Sequence, residues 1–142
     1  MRYLVPVGRL FYSLIFILAY QGHFSSRGVD YAAQSGVPLP AIAVPLSGVL
    51  AVCGGLSVAL GFHASWGARL LVLFLVPVTL MMHNFWAVKD PMAAGLQKVM
   101  FEKNLSMLGG ALIISYFGSG PCSLDTWLRA RRAQPAEEGA DG

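Results

Sequence analysis

The sequence predicts an all-α integral membrane protein, a bundle of four transmembrane helices, and three observations point that way. Four windows are long and apolar enough to cross a hydrocarbon core of about 30 Å, which takes roughly 20 helical residues. Of the 142 residues, 56% are hydrophobic and 12% charged, where an average soluble domain carries about a quarter charged residues. No window shows the wide polar face that a helix on a water-soluble core requires. The length has room for one domain: 1–125 as the four-helix membrane unit, and 126–142 as a basic, then polar, disordered cytoplasmic tail.

The first helix is expected over about 4–20. It reads as a retained span rather than a signal peptide, because Arg9 interrupts the apolar run and no A-x-A-like cleavage site follows. The second is expected over 41–60, after a loop from Gly22 to Pro40 that holds a short helix around 29–34 and the rigid Gly36-Val37-Pro38-Leu39-Pro40. Gly61 to Ser65 form a tight turn into the third helix, 66–87, which Pro77 should bend. The loop from Lys89 to Gln97, where Asp90-Pro91 favours a turn and the start of a short interfacial segment, leads to the fourth helix over 99–117, which Gly118 to Pro121 terminate.

Charge sets the expected orientation. Arg2, Arg9, Arg69, Arg129, Arg131 and Arg132 fall on the side of the two termini. Arg27, Lys89, Lys98 and Lys103 fall on the other, partly offset by Asp30, Asp90 and Glu102. The positive-inside bias therefore places both termini in the cytoplasm of a bacterial inner membrane. The net charge of +3 comes from ends and loops and points to no nucleic acid. Cys53 and Cys122 lie at unrelated places in the chain, without C-x-x-C or metal-ligand spacing, so neither a disulfide nor a metal site is expected.

Polar residues inside such a chain are the candidates for function. Arg9, Tyr12, Ser13, Phe16, Tyr20 and His23 share one helical stripe, which should face the bundle because lipid cannot satisfy a hydroxyl, guanidinium or imidazole. At the outward ends of the third and fourth helices stand His83-Asn84 and Glu102-Lys103-Asn104. In one reading, His83 and Lys103, with Asn84, Asn104, His23 and Tyr20 around them, hydrogen-bond a carbonyl or anionic oxygen of a small ligand. In the plainer reading, which residue types alone favour, Lys103 snorkels to headgroups, Glu102 pairs with Lys98 or Lys103, and His83 caps a helix. Gly54-Gly55, Ser57 with Gly61, and Ser106 with Gly110 supply small-residue spacings for close helix approach.

The chain resembles the DoxX family of small four-helix membrane proteins over nearly its whole length. The likeness is carried by Gly8-Arg9-Leu10, Tyr31-Ala32-Ala33-Gln34-Ser35-Gly36-Val37-Pro38, Gly54-Gly55 to Gly61, and His83-Asn84-Phe85-Trp86. It is most specific in Lys103-Asn104-Leu105-Ser106-Met107-Leu108-Gly109-Gly110 and in Gly118-Ser119-Gly120-Pro121-Cys122-Ser123-Leu124-Asp125. Two positions depart from the family pattern: His23 after Gly22, where a basic residue is common, and Ala51 or Val52, where an acid is. Relatives in that family include a subunit of a thiosulfate:quinone oxidoreductase and proteins of oxidative-stress complexes, with eukaryotic cargo receptors more distant. The resemblance thus implies a subunit or accessory of a membrane redox system, with the outer polar cluster holding quinone or a similar lipid-soluble ligand, or docking a partner. It further suggests an ion pair between Arg9 and Asp125 at the inner edge. With no flavin, haem or iron–sulfur motif, redox chemistry would need a complex. A non-catalytic scaffold or receptor for a partner protein, and a small-solute transporter acting as a homo-oligomer, are the alternatives.

Overall fold

In the computed structural model, which describes residues 3–133, the described chain is helical with no β-strand. Four long helices dominate: α1 (Leu4–Leu18), then, after two short helices, α2 (Tyr20–His23) and α3 (Ser26–Gln34), come α4 (Pro40–Leu60), α5 (Ala64–Met82) and α6 (Pro91–Phe117). A 3-10 turn (Phe85–Ala87) precedes α6, and α7 (Leu124–Ala133) follows it. The stretches Leu4–His23, Pro40–Leu60 and Ala64–Ala87 are each long and apolar enough to cross a membrane. The longest helix, α6, carries Lys98, Glu102 and Lys103 in its first half and turns apolar only after Asn104. Its exposed Lys98 and Glu102 stand 3.9 Å apart, one turn from each other.

Several boundaries differ from those expected, each for a local reason. The Asp90-Pro91 pair does not merely turn the chain: the Asp90 carboxylate accepts the Ala93 N–H at 2.7 Å and Pro91 occupies the first helical turn. This cap with a following proline starts α6 about two turns before residue 99. Conversely α5 stops at Met82, with His83 as its C-cap, instead of running to residue 87. Phe85 and Trp86 leave the helix to pack edge-on against Phe101 of α6, at 5.6 and 5.9 Å between ring centres. The short helix of the first loop begins at Ser26, because Ser25 caps it by accepting the Gly28 N–H at 3.2 Å. Of the expected tail, 126–133 belong to α7, which begins at Leu124, and the remainder, 134–142, lies outside the described residues.

The long helices pack in chain order, α1 on α4, α4 on α5 and α5 on α6. The Tyr12 hydroxyl closes the ring by donating to the Met107 carbonyl of α6 at 2.6 Å. The core centres on Phe16, Val58, Leu71 and Leu75, with Ala51, Ala68 and Ala111 filling the narrow places. From the stripe on α1, Arg9, Ser13 and Phe16 are buried. Tyr20, by contrast, is 50% exposed. Close approach of α4 and α5 depends on glycine: a Cβ on Gly54 would lie 2.8 Å from the Gly67 carbonyl oxygen, and one on Gly67 would lie 2.4 Å from Ser57 Oγ. Small residues of this kind let backbones meet where no water-driven force holds helices together in lipid.

Gly54→Ala should therefore destabilise the bundle by about 1–3 kcal/mol, the usual cost of overpacking. Gly109→Ala, where an added Cβ meets nothing within 4 Å, should be neutral or mildly stabilising. Thermal unfolding of the two variants in one detergent checks the contrast.

Candidate functional site

Chain direction puts α2, α3, the 3-10 turn and the start of α6 at one end of the bundle. There, a cavity of about 590 Å³ opens between α3, α4 and α5. Its walls are largely apolar, including Val44, Leu50, Phe74, Val78 and Met81, and His23, Tyr31 and His83 also line it. Such a volume, with few polar groups in apolar walls, is typical of small-molecule sites.

Local structure explains each polar position. His23 ends the single turn of α2, which lies directly on α4 because residue 48 is glycine: a Cβ there would come within 2.5 Å of the His23 Cβ. The His23 Nδ1 bonds the Ala19 carbonyl at 2.8 Å, and its ring packs 5.5 Å from that of Phe74. His83 sits where α5 stops and reaches across to α6, its Nδ1 2.7 Å from Gln97 Oε1. Gln97 in turn donates from Nε2 to the Tyr31 hydroxyl of α3 at 2.8 Å. A chain of side chains thus joins α5, α6 and α3 across the cavity mouth.

Of the candidates read from the sequence, His23 and His83 come together in this cavity and the others do not line it. Lys103 is exposed, its Nζ 3.5 Å from the Met100 sulfur. Asn84 is half-buried and its carbonyl accepts the Ala87 N–H at 2.9 Å. Asn104 is buried on α6. Tyr20, at the start of α2, remains half exposed. Sequence reasoning missed Gln97 and left Tyr31 out of the site. A signal for Gln97 existed: once Asp90-Pro91 is read as a helix start, residues 97, 101, 104, 108 and 111 fall on one face, which includes the buried Asn104 and Ala111. Among the described residues no group of three His, Cys, Asp or Glu side chains is placed to hold a metal ion.

The opposite end is built around Arg9. Its guanidinium donates from Nη1 to the Ser119 carbonyl and from Nη2 to the Cys122 carbonyl, the latter at 2.8 Å. Positive φ angles at Gly118, Gly120 and Cys122 shape the loop that carries these carbonyls. Asp125 does not form the expected direct ion pair with Arg9. Its carboxylate accepts instead from the His63 N–H, at 3.1 and 3.0 Å to its two oxygens, and from the Ser119 hydroxyl. The physical reason is that His63 opens α5 in a left-handed conformation, leaving an unsatisfied N–H that a carboxylate neutralises well. Ser119 links the two groups, giving its carbonyl to Arg9 and its hydroxyl to Asp125.

Partial burial pushes the Asp125 carboxyl upward, but the hydrogen bonds from Ser119 and His63, helped by the His63 and Arg129 charges, outweigh it and hold the group below the ordinary carboxylate value. A carboxyl depressed by folding stabilises fully above its unfolded value, about 3.9, and loses that contribution as pH falls through the folded one. Asp125→Asn should lower the melting temperature at pH 7, and the gap from the parent should narrow progressively once pH falls below the ordinary carboxylate value and on through the lower folded one. Melting curves of both proteins from pH 7 downward check it, and a gap that does not narrow at all in acid would show that the charge is not what holds the turn.

Comparison with known proteins gives the chain relatives. The family model of the SURF4 family matches residues 43–130. Inner membrane protein YphA of Escherichia coli is 29% identical over 126 residues, covering 86% of this chain and 88% of its own. Inner membrane protein YqjF of the same organism is 27% identical over 127 residues, 89% of this chain and 93% of its own. The ER-derived vesicles protein ERV29 of Saccharomyces cerevisiae is 30% identical over 77 residues, 54% of this chain and 24% of its own. No solved structure matches. These findings overturn the resemblance to the DoxX family: the match over 43–130 is to SURF4, and it takes in the Lys103 to Gly110 and Gly118 to Asp125 segments that carried the likeness.

Proposed function

The chain belongs to the SURF4 family, and we propose that it is an inner-membrane protein that holds a lipid-soluble molecule by a polar head in the cavity between α3, α4 and α5. One observation carries this reading: His23, Tyr31 and His83 line a cavity of about 590 Å³ whose other walls are mostly apolar. A membrane-soluble molecule could enter its tail among Leu46, Leu73 and Pro77 and meet hydrogen-bonding groups at its head. Quinones are one such class. The redox role expected earlier rested on the DoxX likeness and falls with it.

Full-length protein in detergent should melt at higher temperature with a ligand of this class, by an amount equivalent to about 2.7 kcal/mol when free ligand exceeds Kd a hundredfold. Long-chain quinones, alkylphenols and fatty alcohols make a suitable panel. Ala43, half-buried in the cavity wall, offers the control: Ala43→Phe should fill the space and abolish the shift while leaving the ligand-free melting temperature within a few degrees. Absence of a shift with every class in the panel would overturn the reading.

The same proposal includes orientation. Arg9, Arg69 and the Arg129, Arg131 and Arg132 of α7 gather at one end of the bundle, and the guanidiniums of Arg69 and Arg131 lie 4.5 and 4.1 Å from the ring centres of Trp66 and Trp127. Basic residues interleaved with tryptophan suit the cytoplasmic interface, which supports termini inside the cell. A green fluorescent protein fused to the C-terminus should fluoresce and an alkaline phosphatase fused there should be inactive; the reverse pattern would refute it.

A further inference from the structure

Both imidazoles of the cavity are committed at one nitrogen, and this fixes what the other offers. A backbone carbonyl only accepts, so His23 Nδ1 carries the hydrogen of its 2.8 Å bond to Ala19. Gln97 spends its amide N–H on the Tyr31 hydroxyl, which turns its carbonyl oxygen toward His83, and His83 Nδ1 must likewise carry the hydrogen. A neutral imidazole has one N–H, so in each ring Nε2 is a bare acceptor. The fully enclosed polar side-chain atoms lacking a partner are Arg9 Nε and Ser13 Oγ, among the described residues, so neither histidine Nε2 is sealed from its surroundings. Tyr31, whose oxygen already accepts from Gln97, retains its own hydrogen to donate.

Within mostly apolar walls, then, stand two imidazole lone pairs seeking hydrogen, the oxygen of Ser47, whose own hydrogen goes to the Val44 carbonyl at 2.8 Å, and one hydroxyl hydrogen, that of Tyr31. We infer that the site selects lipid-soluble molecules with a hydroxyl head, phenols or alcohols, over ethers and ketones of the same shape. The inference rests on the cavity being a ligand site, as proposed above, and adds the chemistry of its occupant. A hydroxyl donates to an imidazole Nε2 and accepts from Tyr31 with the same oxygen. An ether or ketone accepts from Tyr31 but buries the imidazole lone pairs unpaired. Leaving a buried acceptor unmade weakens binding by about tenfold or more.

The test compares 4-nonylphenol with its methyl ether, 4-nonylanisole, binding to the full-length protein in detergent by calorimetry, with Ala43→Phe as the blank for uptake by micelles. The parent should bind the phenol about tenfold more tightly. Gln97→Leu, which releases His83 from its fixed tautomer, and His83→Phe, which removes the acceptor, should each shrink that preference, with affinity for the ether rising because it no longer buries that lone pair unpaired. His23→Phe reads the second acceptor in the same way and serves if either of the others fails to fold. Equal binding of phenol and ether by the parent would overturn the inference and leave the cavity reading standing. Binding of neither, with no difference from Ala43→Phe, would overturn both.

Discussion

Arg9 lies in the second turn of α1, and the groups that its two Nη atoms meet are carbonyls of Ser119 and Cys122, at the far end of the chain, while its Nε stays enclosed without a partner. Hydrocarbon offers no partner for such a group, so the charge can be kept only if the protein wraps polar atoms around it. That requirement ties the first helix to the loop after the last long one. The same loop, through Ser119 and Asp125, holds the N-terminus of α5 at His63, and the Asp125 N–H returns to the Gly61 carbonyl at the end of α4 at 3.1 Å. One polar knot therefore fixes the ends of α1, α4, α5 and α6 together. Gly61 shows how tight it is: a Cβ there would meet the Arg9 guanidinium at 2.6 Å.

With one end so pinned, the other end has freedom to be shaped. The α4 and α5 backbones stay close where Gly54 faces Gly67, and the cavity opens further along, on the side where Pro77 and Phe74 line it. Short helices rather than long ones roof the space. The α3 helix is joined to α5 and α6 by the side chains of Tyr31, Gln97 and His83.

Much of this was legible in the residues. The stripe of Arg9, Ser13 and Phe16 faces inward as lipid demands, and Gly54 stands where helices approach closely. The family was misread, and the segments responsible show why. Gly61, Gly118 and Gly120 adopt positive φ, Gly54 and Gly110 admit neighbouring side chains, and the loop from Gly118 to Asp125 closes the Arg9 knot. Such features follow from building a small polar-pinned helix bundle, so they mark the architecture more strongly than the lineage. The outer cluster divided for a simple geometric reason: His83, Lys103 and Asn104 share one end of the bundle, but neighbours on a helix point about 100° apart, so with Asn104 buried Lys103 faces outward.

The sequence by itself determined that the chain is helical, that it lives in lipid, and which polar side chains had to be hidden there. Those outcomes depend on composition and on the 3.6-residue period, both local properties. Tertiary structure alone decided which hidden groups meet. Arg9 met two carbonyls rather than Asp125, because the left-handed residues of a distant loop present them and the His63 N–H claims the carboxylate. His23 and His83 met in one cavity, each with Nδ1 engaged, because Gly48 lets α2 lie on α4 and Gln97 arrives from a helix that begins two turns early. Partners separated by tens of residues leave no periodic trace in a single chain, so only the packed bundle could name them.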